Sequence, residues 1–249
     1  MSRLFEEKLR AAQARAGCGL SLSLDIAVAN TPLPIQPYDE PMLPFARAII
    51  EATADLVCAY ALNPAFYLAE GAAGIVAMER IARLVPTGTV LLIDTAFGGD
   101  PAAASAFARG AFDQFLADGV TISSCISEST VRCLKRADRA LFAVVNDEAD
   151  LDRVLLLSSE RLGLATSVES VHNSVRLRQA LAEAPFVLLR AEGCTMEALG
   201  ACLAYVPPDR AAPIVTVSHQ VLYASRREDF AEAARAAALR LRDCLQRVR

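Results

Sequence analysis

A chain of 249 residues, 54% apolar and 22% charged, carries enough hydrophobic mass for one large buried core, which excludes a disordered chain. The net charge of −4 and the lack of a basic stripe exclude nucleic acid as the expected partner. No apolar run approaches the roughly 18–20 residues of a membrane span, and the N-terminal MSRLFEEKLRAAQARAG reads as a charged amphipathic helix, so a cytoplasmic location is expected.

In chain order, the hydrophobic pattern predicts a helix over 2–17 and then a strand, GLSLSLDIA (19–27), which carries Asp25. ANTPLPIQPYDEP is a Pro-rich loop without helical period. PFARAIIEATAD (44–55) is a helix, and LVCAYALN (56–63) is a second strand ending at Asn63. A helix over 69–86, the strand VLLID (90–94), a helix over 101–117 and the strand GVTIS (119–123) follow. ESTVRCLKRAD is a short helix, RALFAVVN (139–146) the fifth strand, and EADLDRVLLLSSER is helical in whole or in part. LGLATS (162–167), a helix in SVRLRQALAEA, PFVLLRAEG (185–193), a helix in TMEALGACLAYV, APIVTVS (212–218) and a closing helix over 227–248 complete the chain.

Eight apolar, unalternating strands separated by amphipathic helices point to a parallel sheet covered on its outer face. Eight such units close most economically into a (β/α)8 TIM barrel, here as a single domain over 1–249. A doubly wound open sheet is the runner-up, but it favours a Gly-rich first turn, and SLDIAVANTP is not one.

The stretch LLIDTAFGGD places Asp94 where a buried strand runs into a Gly-rich loop, the end of the strand at which barrel enzymes gather their chemistry. Its alternative is a carboxylate hydrogen-bonded to neighbouring loops. His219, at the end of the eighth strand, is either a general acid or base or a solvated capping residue. Arg190 and Glu192 leave the seventh strand with the same spacing, as an ion pair or as ligand-binding groups. Cys194 could serve as a nucleophile only if the fold brings His219 to it. The seven cysteines, none in a CxxC pair, read as reduced core thiols, and His172 and His219 lack ligand spacing, so neither a metal nor another cofactor is expected.

Three blocks resemble the orotidine 5'-phosphate decarboxylase family of the longer bacterial type: FARAIIEATADLVCAYALNPAFYLAEGAAGI (45–75), IDTAFGGDPAAASAFARGAFDQFLADGVTI (93–122) and VSHQVLYASRREDFAEAARAAALRLRD (217–243). The resemblance implies a barrel, a small-molecule substrate and a homodimer joined through the 61–75 and 95–125 regions. It also implies a chemistry of alternating Lys and Asp side chains, which stabilise the carbanion left by CO2 and return its proton.

Carried over residue by residue, that set is mostly absent. The first family Lys is Ala61 here, the first Asp is Asp94, the central Lys is Ala96 and the last Asp is Gly99, with Asp100 one position late. Asp25 matches a ribose contact and Thr121 matches its family position, while the pyrimidine-facing TSN aligns with Asp147, Glu148 and Ala149. The phosphate cradle aligns with Arg190–Glu197, the phosphate-gripping Ser-Arg with Ser218–His219, and the segment between strands five and six is too short for the family's phosphate-closing loop.

With the central ammonium missing, loss of orotidine monophosphate decarboxylation is expected. The expected function is then a repurposed lyase, cyclase or isomerase of specialised metabolism acting on a non-phosphorylated small molecule. In this reading Asp94 and His219 are the catalytic pair, and Asp25, Asn63, Thr121, Glu148, Arg190, Glu192 and Ser218 bind substrate. The alternative expectation is an inactive pseudoenzyme serving as a binding or scaffolding subunit.

Overall fold

The computed structural model describes residues 3–157 and 162–247. Its eight strands are β1 (Leu20–Ser23), β2 (Ala59–Leu62), β3 (Val90–Phe97), β4 (Gly119–Ser123), β5 (Ala140–Val144), β6 (Gly163–Ser167), β7 (Val187–Arg190) and β8 (Ile214–Val217). Each pairs in parallel with the next, and β8 pairs with β1, so the sheet closes in sequence order as the expected (β/α)8 barrel. The open-sheet alternative fails on that last pairing, which joins Leu22 to Val217.

The helices are α1 (Arg3–Ala16), α2 (Met42–Thr53), α3 (Pro64–Leu68), α4 (Gly71–Leu84), α5 (Pro101–Ala108), α6 (Glu128–Leu134), α7 (Glu148–Leu156), α8 (Val168–Asn173), α9 (Val175–Glu183), α10 (Met196–Leu203), α11 (His219–Leu222) and α12 (Phe230–Arg247). Many starts are set locally by a short polar side chain that accepts a backbone N–H of the first turn. Asp100 accepts from Ala103, Ser127 from Thr130, Asp147 from Asp150, Ser174 from Leu177 and Thr195 from Ala198. Each such cap contributes about 1 kcal/mol. The end of the helix expected over EADLDRVLLLSSER, at 158–161, and the outermost residues expected in the terminal helices, 2 and 248, lie outside the described residues. Among the described residues no helix is long and apolar enough to cross a membrane.

Three short helices depart from the expected pattern. Asn63 and Pro64 start α3 before the expected helix, Ser167 caps α8 directly after β6, and α11 follows β8 without a loop. The helix expected over 101–117 stops at Ala108 and continues as a wider turn over Arg109–Gln114. Strand β3 also outruns its expected end at Asp94. It bulges after Ile93 and pairs again at Phe97 with Ile122, and Ala96 takes a positive φ of 47° in between.

The barrel encloses one apolar core and its helices cover a second. Inside, Ala59, Ala61, Val90, Leu92, Phe142, Ala165, Leu188 and Ile214 alternate inward, and Phe5 and Leu9 of α1 close the bottom. Outside, Leu22, Leu62, Ile93, Val120, Leu189 and Val217 pack under the helices. Asp118 ties α1 to this floor: it is buried, accepts from Lys8 Nζ at 2.6 Å and from the Leu91 amide at 2.8 Å. Asp118→Ala strands both donors at the N-terminal end of the barrel. It is expected to cost about 2–3 kcal/mol in chemical unfolding while ligand affinity at the opposite end is unchanged.

Candidate active site at the barrel mouth

The carboxyl ends of the strands carry two hydrogen-bonded clusters. The first joins opposite sides of the ring. Arg190 is the last residue of β7, four strands round from β3, and its guanidinium crosses the mouth to grip Asp94. Nη2 lies 2.7 Å from Oδ1 and Nε lies 3.2 Å from Oδ2, a fork that matches both carboxylate oxygens. Thr121 of β4 donates to Asp94 Oδ1 at 2.8 Å. The same hydroxyl oxygen accepts the amides of Thr95 and Ala96 at 2.9 and 2.8 Å. One buried threonine therefore orients the carboxylate and holds the left-handed turn at Ala96, a conformation that costs a non-glycine residue about 1–2 kcal/mol. Asp94 is 15% and Arg190 31% exposed, so the pair is shielded yet open to a ligand.

The second cluster lies beside β1 and β8. Ser21, Ser23 and Asp25 follow one another at the two-residue spacing of one strand face, and Ser21 is the register partner of Thr216. Ser23 Oγ donates to Asp25 Oδ1 at 2.7 Å, and Ser218 Oγ donates to the Ser23 carbonyl at 3.1 Å. Burial raises the Asp25 pKa above the usual carboxylate value, and the Asp94 charge pushes in the same direction. The two serines and His219 oppose the rise without cancelling it. Tyr223 donates to the Asp25 carbonyl at 3.3 Å and accepts the Ala27 amide at 2.9 Å; burial raises its phenol.

The remaining candidates stand outside these clusters. His219 is exposed, with its ring centroid 5.5 Å from that of Tyr223, and makes no hydrogen bond to Asp94. It borders a cavity of about 340 Å³ with Asn30, Tyr223 and Arg226. Glu192 does not pair with Arg190; it accepts the Ser218 and Gln220 amides at 2.6 and 3.0 Å and so caps α11. Asn63 caps α3 through the Ala65 amide at 3.1 Å. Glu148 accepts Ser174 Oγ at 2.7 Å on the surface between α7 and α9. Asp100 caps α5. Cys194 donates to the Ala191 carbonyl at 3.2 Å, and burial raises its thiol, which lowers its nucleophilicity.

Sequence reading named Arg190 and Asp94 separately and missed their union. It also missed Ser23 and Tyr223. The alternation of Ser21, Ser23 and Asp25 in SLSLD was the available signal for Ser23, since it puts three polar side chains on one face of an otherwise apolar strand.

No family model matches the chain. Curated relatives match along its length. The orotidine 5'-phosphate decarboxylase of Thermomicrobium roseum is 32% identical, covering 98% of this chain and 96% of that protein. That of Roseiflexus castenholzii is 35% identical over 97% of each, and that of Herpetosiphon aurantiacus is 31% identical over 93% and 94%. Among solved structures, the OMP decarboxylase of Leishmania donovani superposes with a TM-score of 0.76 at 22% identity, covering 100% of this chain and 99% of that one. The Plasmodium berghei orotidine 5'-monophosphate decarboxylase gives 0.74 at 11%, covering 98% and 99%. At these identities the structures speak for the fold.

The relatives correct the functional expectation. A repurposed lyase, cyclase or isomerase of specialised metabolism, or a pseudoenzyme, is overturned by relatives that carry the decarboxylase name from end to end. The expectation weighed losses position by position, at 61, 96 and 99 and along the aligned phosphate cradle. Folding brings a cation to Asp94 from β7 instead.

Proposed function

Because the chain belongs to the orotidine 5'-phosphate decarboxylase family, we propose that it decarboxylates orotidine 5'-phosphate at the barrel mouth, with Arg190 supplying the fixed positive charge. The observation that carries this reading is the bidentate Arg190–Asp94 pair held across the mouth. Loss of CO2 leaves an electron pair on the pyrimidine ring. A guanidinium already oriented by Asp94 and Thr121 stabilises that charge without reorganising at the moment of reaction. Asp94 has a second effect: it sits against the departing carboxylate and favours its loss as neutral CO2.

The rest of the substrate has matching groups. Asp25 and Ser218 offer hydrogen-bond partners to the ribose. The cavity lined by Asn30, His219, Tyr223 and Arg226 suits the phosphate, with a guanidinium and an imidazole in place of an aligned arginine. In this reading His219 binds substrate and does not pair with Asp94 in catalysis. We also retain the homodimer as a proposal; the two regions concerned expose Leu68 and Leu116.

The test is a turnover assay with orotidine 5'-phosphate, following loss of substrate absorbance and release of CO2, beside calorimetric titration with uridine monophosphate. Turnover and monophosphate binding are expected. Binding without CO2 release overturns the catalytic reading, and absence of both overturns the site.

A further inference from the structure

Outside the barrel wall the helical layer leaves a second space. A cavity of about 280 Å³ lies between strands β1 and β8 and helices α10 and α12. Its strand side is formed by Leu20, Val215 and Val217, which point outward from the barrel. Its helix side is formed by Ala237, Leu241 and Leu245 of α12, with Leu199 of α10 closing it. The three α12 residues recur every four positions and so form one stripe of the helix. The lining therefore runs about 12 Å along α12. Such a space costs stability when empty, because its wall atoms lack dispersion partners, and apolar walls offer water nothing to bond.

The rim of this cavity is polar. Arg240 and Gln220 border it and are exposed. The other arginines of the middle of α12 are occupied: Arg235 forks onto Asp55, and Arg242 pairs with Asp243. The Arg240 guanidinium has no hydrogen-bond or ion-pair partner among the described residues. The nearby Glu192 does not supply one, since its carboxylate takes the Ser218 and Gln220 amides. The side-chain amide of Gln220 is likewise unbound among the described residues. An elongated apolar lining therefore ends at a free cation and a free amide donor.

We propose that this cavity binds a small amphipathic carboxylate, its apolar chain between α10, α12 and the barrel wall and its carboxylate on Arg240. The volume sets the size of the ligand. A cavity of about 150 Å³ takes up a benzene ring, so about 280 Å³ takes up roughly eleven heavy atoms. A saturated acid of about eight carbons has that bulk. The head group follows from the rim: a guanidinium meets both oxygens of a carboxylate, and Gln220 can donate beside it. The site is distinct from the barrel mouth and does not depend on the decarboxylase reading. The thiols of Cys194 and Cys244 line the same space, so its occupancy can be read chemically.

The test titrates the full chain with octanoate and with octanol, followed by calorimetry and by the melting temperature. Octanoate is expected to bind and to raise the melting temperature, as any ligand of the folded state does, and octanol is expected to bind more weakly. Arg240→Gln, a substitution at an exposed position, should weaken octanoate about tenfold, the loss of one contact to a charged group, and leave octanol unchanged. Ala237→Leu puts a larger side chain into the space and should weaken both. Bound octanoate should slow alkylation of Cys194 and Cys244 but not of Cys125, which is exposed after β4. Failure of octanoate to bind the wild-type chain overturns the assignment. So does an octanoate affinity unchanged in Arg240→Gln, which would put the carboxylate elsewhere, or binding that leaves both thiols unprotected. The decarboxylase reading stands in every case, because turnover is not the readout.

Discussion

Arg190→Ala is expected to lower turnover of orotidine 5'-phosphate by about 10²–10³, the effect of deleting one preorganised charge-stabilising donor. The loss should appear in kcat more than in uridine monophosphate affinity, because the product has no developing carbanion for the guanidinium to face. Arg190→Lys separates charge from geometry. A lysine keeps the cation but cannot fork onto both Asp94 oxygens, now bound at 2.7 and 3.2 Å. It is expected to recover part of the rate, and an Arg190→Ala enzyme that turns over like wild type would remove Arg190 from the mechanism. Stability should fall too. Asp94 is only 15% exposed and keeps Thr121 as its remaining side-chain donor. Stranding a charge of that kind costs about 1–3 kcal/mol, at the lower end here because Arg190 is partly solvated.

Phe142→Ala is expected to produce the largest stability loss, about 3–5 kcal/mol. Its ring is fully buried inside the barrel, with Phe5 edge-on at 5.9 Å and Phe186 at 6.3 Å. The flanking strands are built around it. A Cβ on Gly163 would come within 2.8 Å of the Phe142 ring, and one on Gly119 within 3.2 Å. Truncation leaves a cavity walled by backbone on both sides, which cannot collapse cheaply. In a domain of this size the melting temperature should drop by about 10 °C. A loss under about 1 kcal/mol in thermal or urea unfolding would mean that the α1 cap settles into the space.

Much of this molecule is readable without coordinates. The eight strands announce themselves because both their faces are buried, so VLLID and GVTIS are continuous apolar runs where an exposed sheet would alternate. Asp25, Asp94 and Arg190 are each recognisable at a strand's carboxyl end for the same reason. The short helices were missed because they rest on single capping residues, Asn63 and Ser167 among them, rather than on a repeated face. The functional error had a different origin. An ungapped comparison asks which residue stands at 61, 96 or 99; it cannot ask which side chain reaches Asp94 from another strand.

The sequence by itself determined the element order, the closed parallel barrel and the end of it that carries the polar residues, because periodicity, capping and burial are local and additive along the chain. Only the tertiary structure decided that Arg190 meets Asp94, 96 residues away, that Glu192 caps α11 instead, and that Ser218 bonds the carbonyl of Ser23, whose hydroxyl holds Asp25. Those meetings depend on which strands face each other once the ring closes, on the bulge after Ile93 and on the register between β8 and β1. They are properties of the closed barrel, and no segment of the chain contains them.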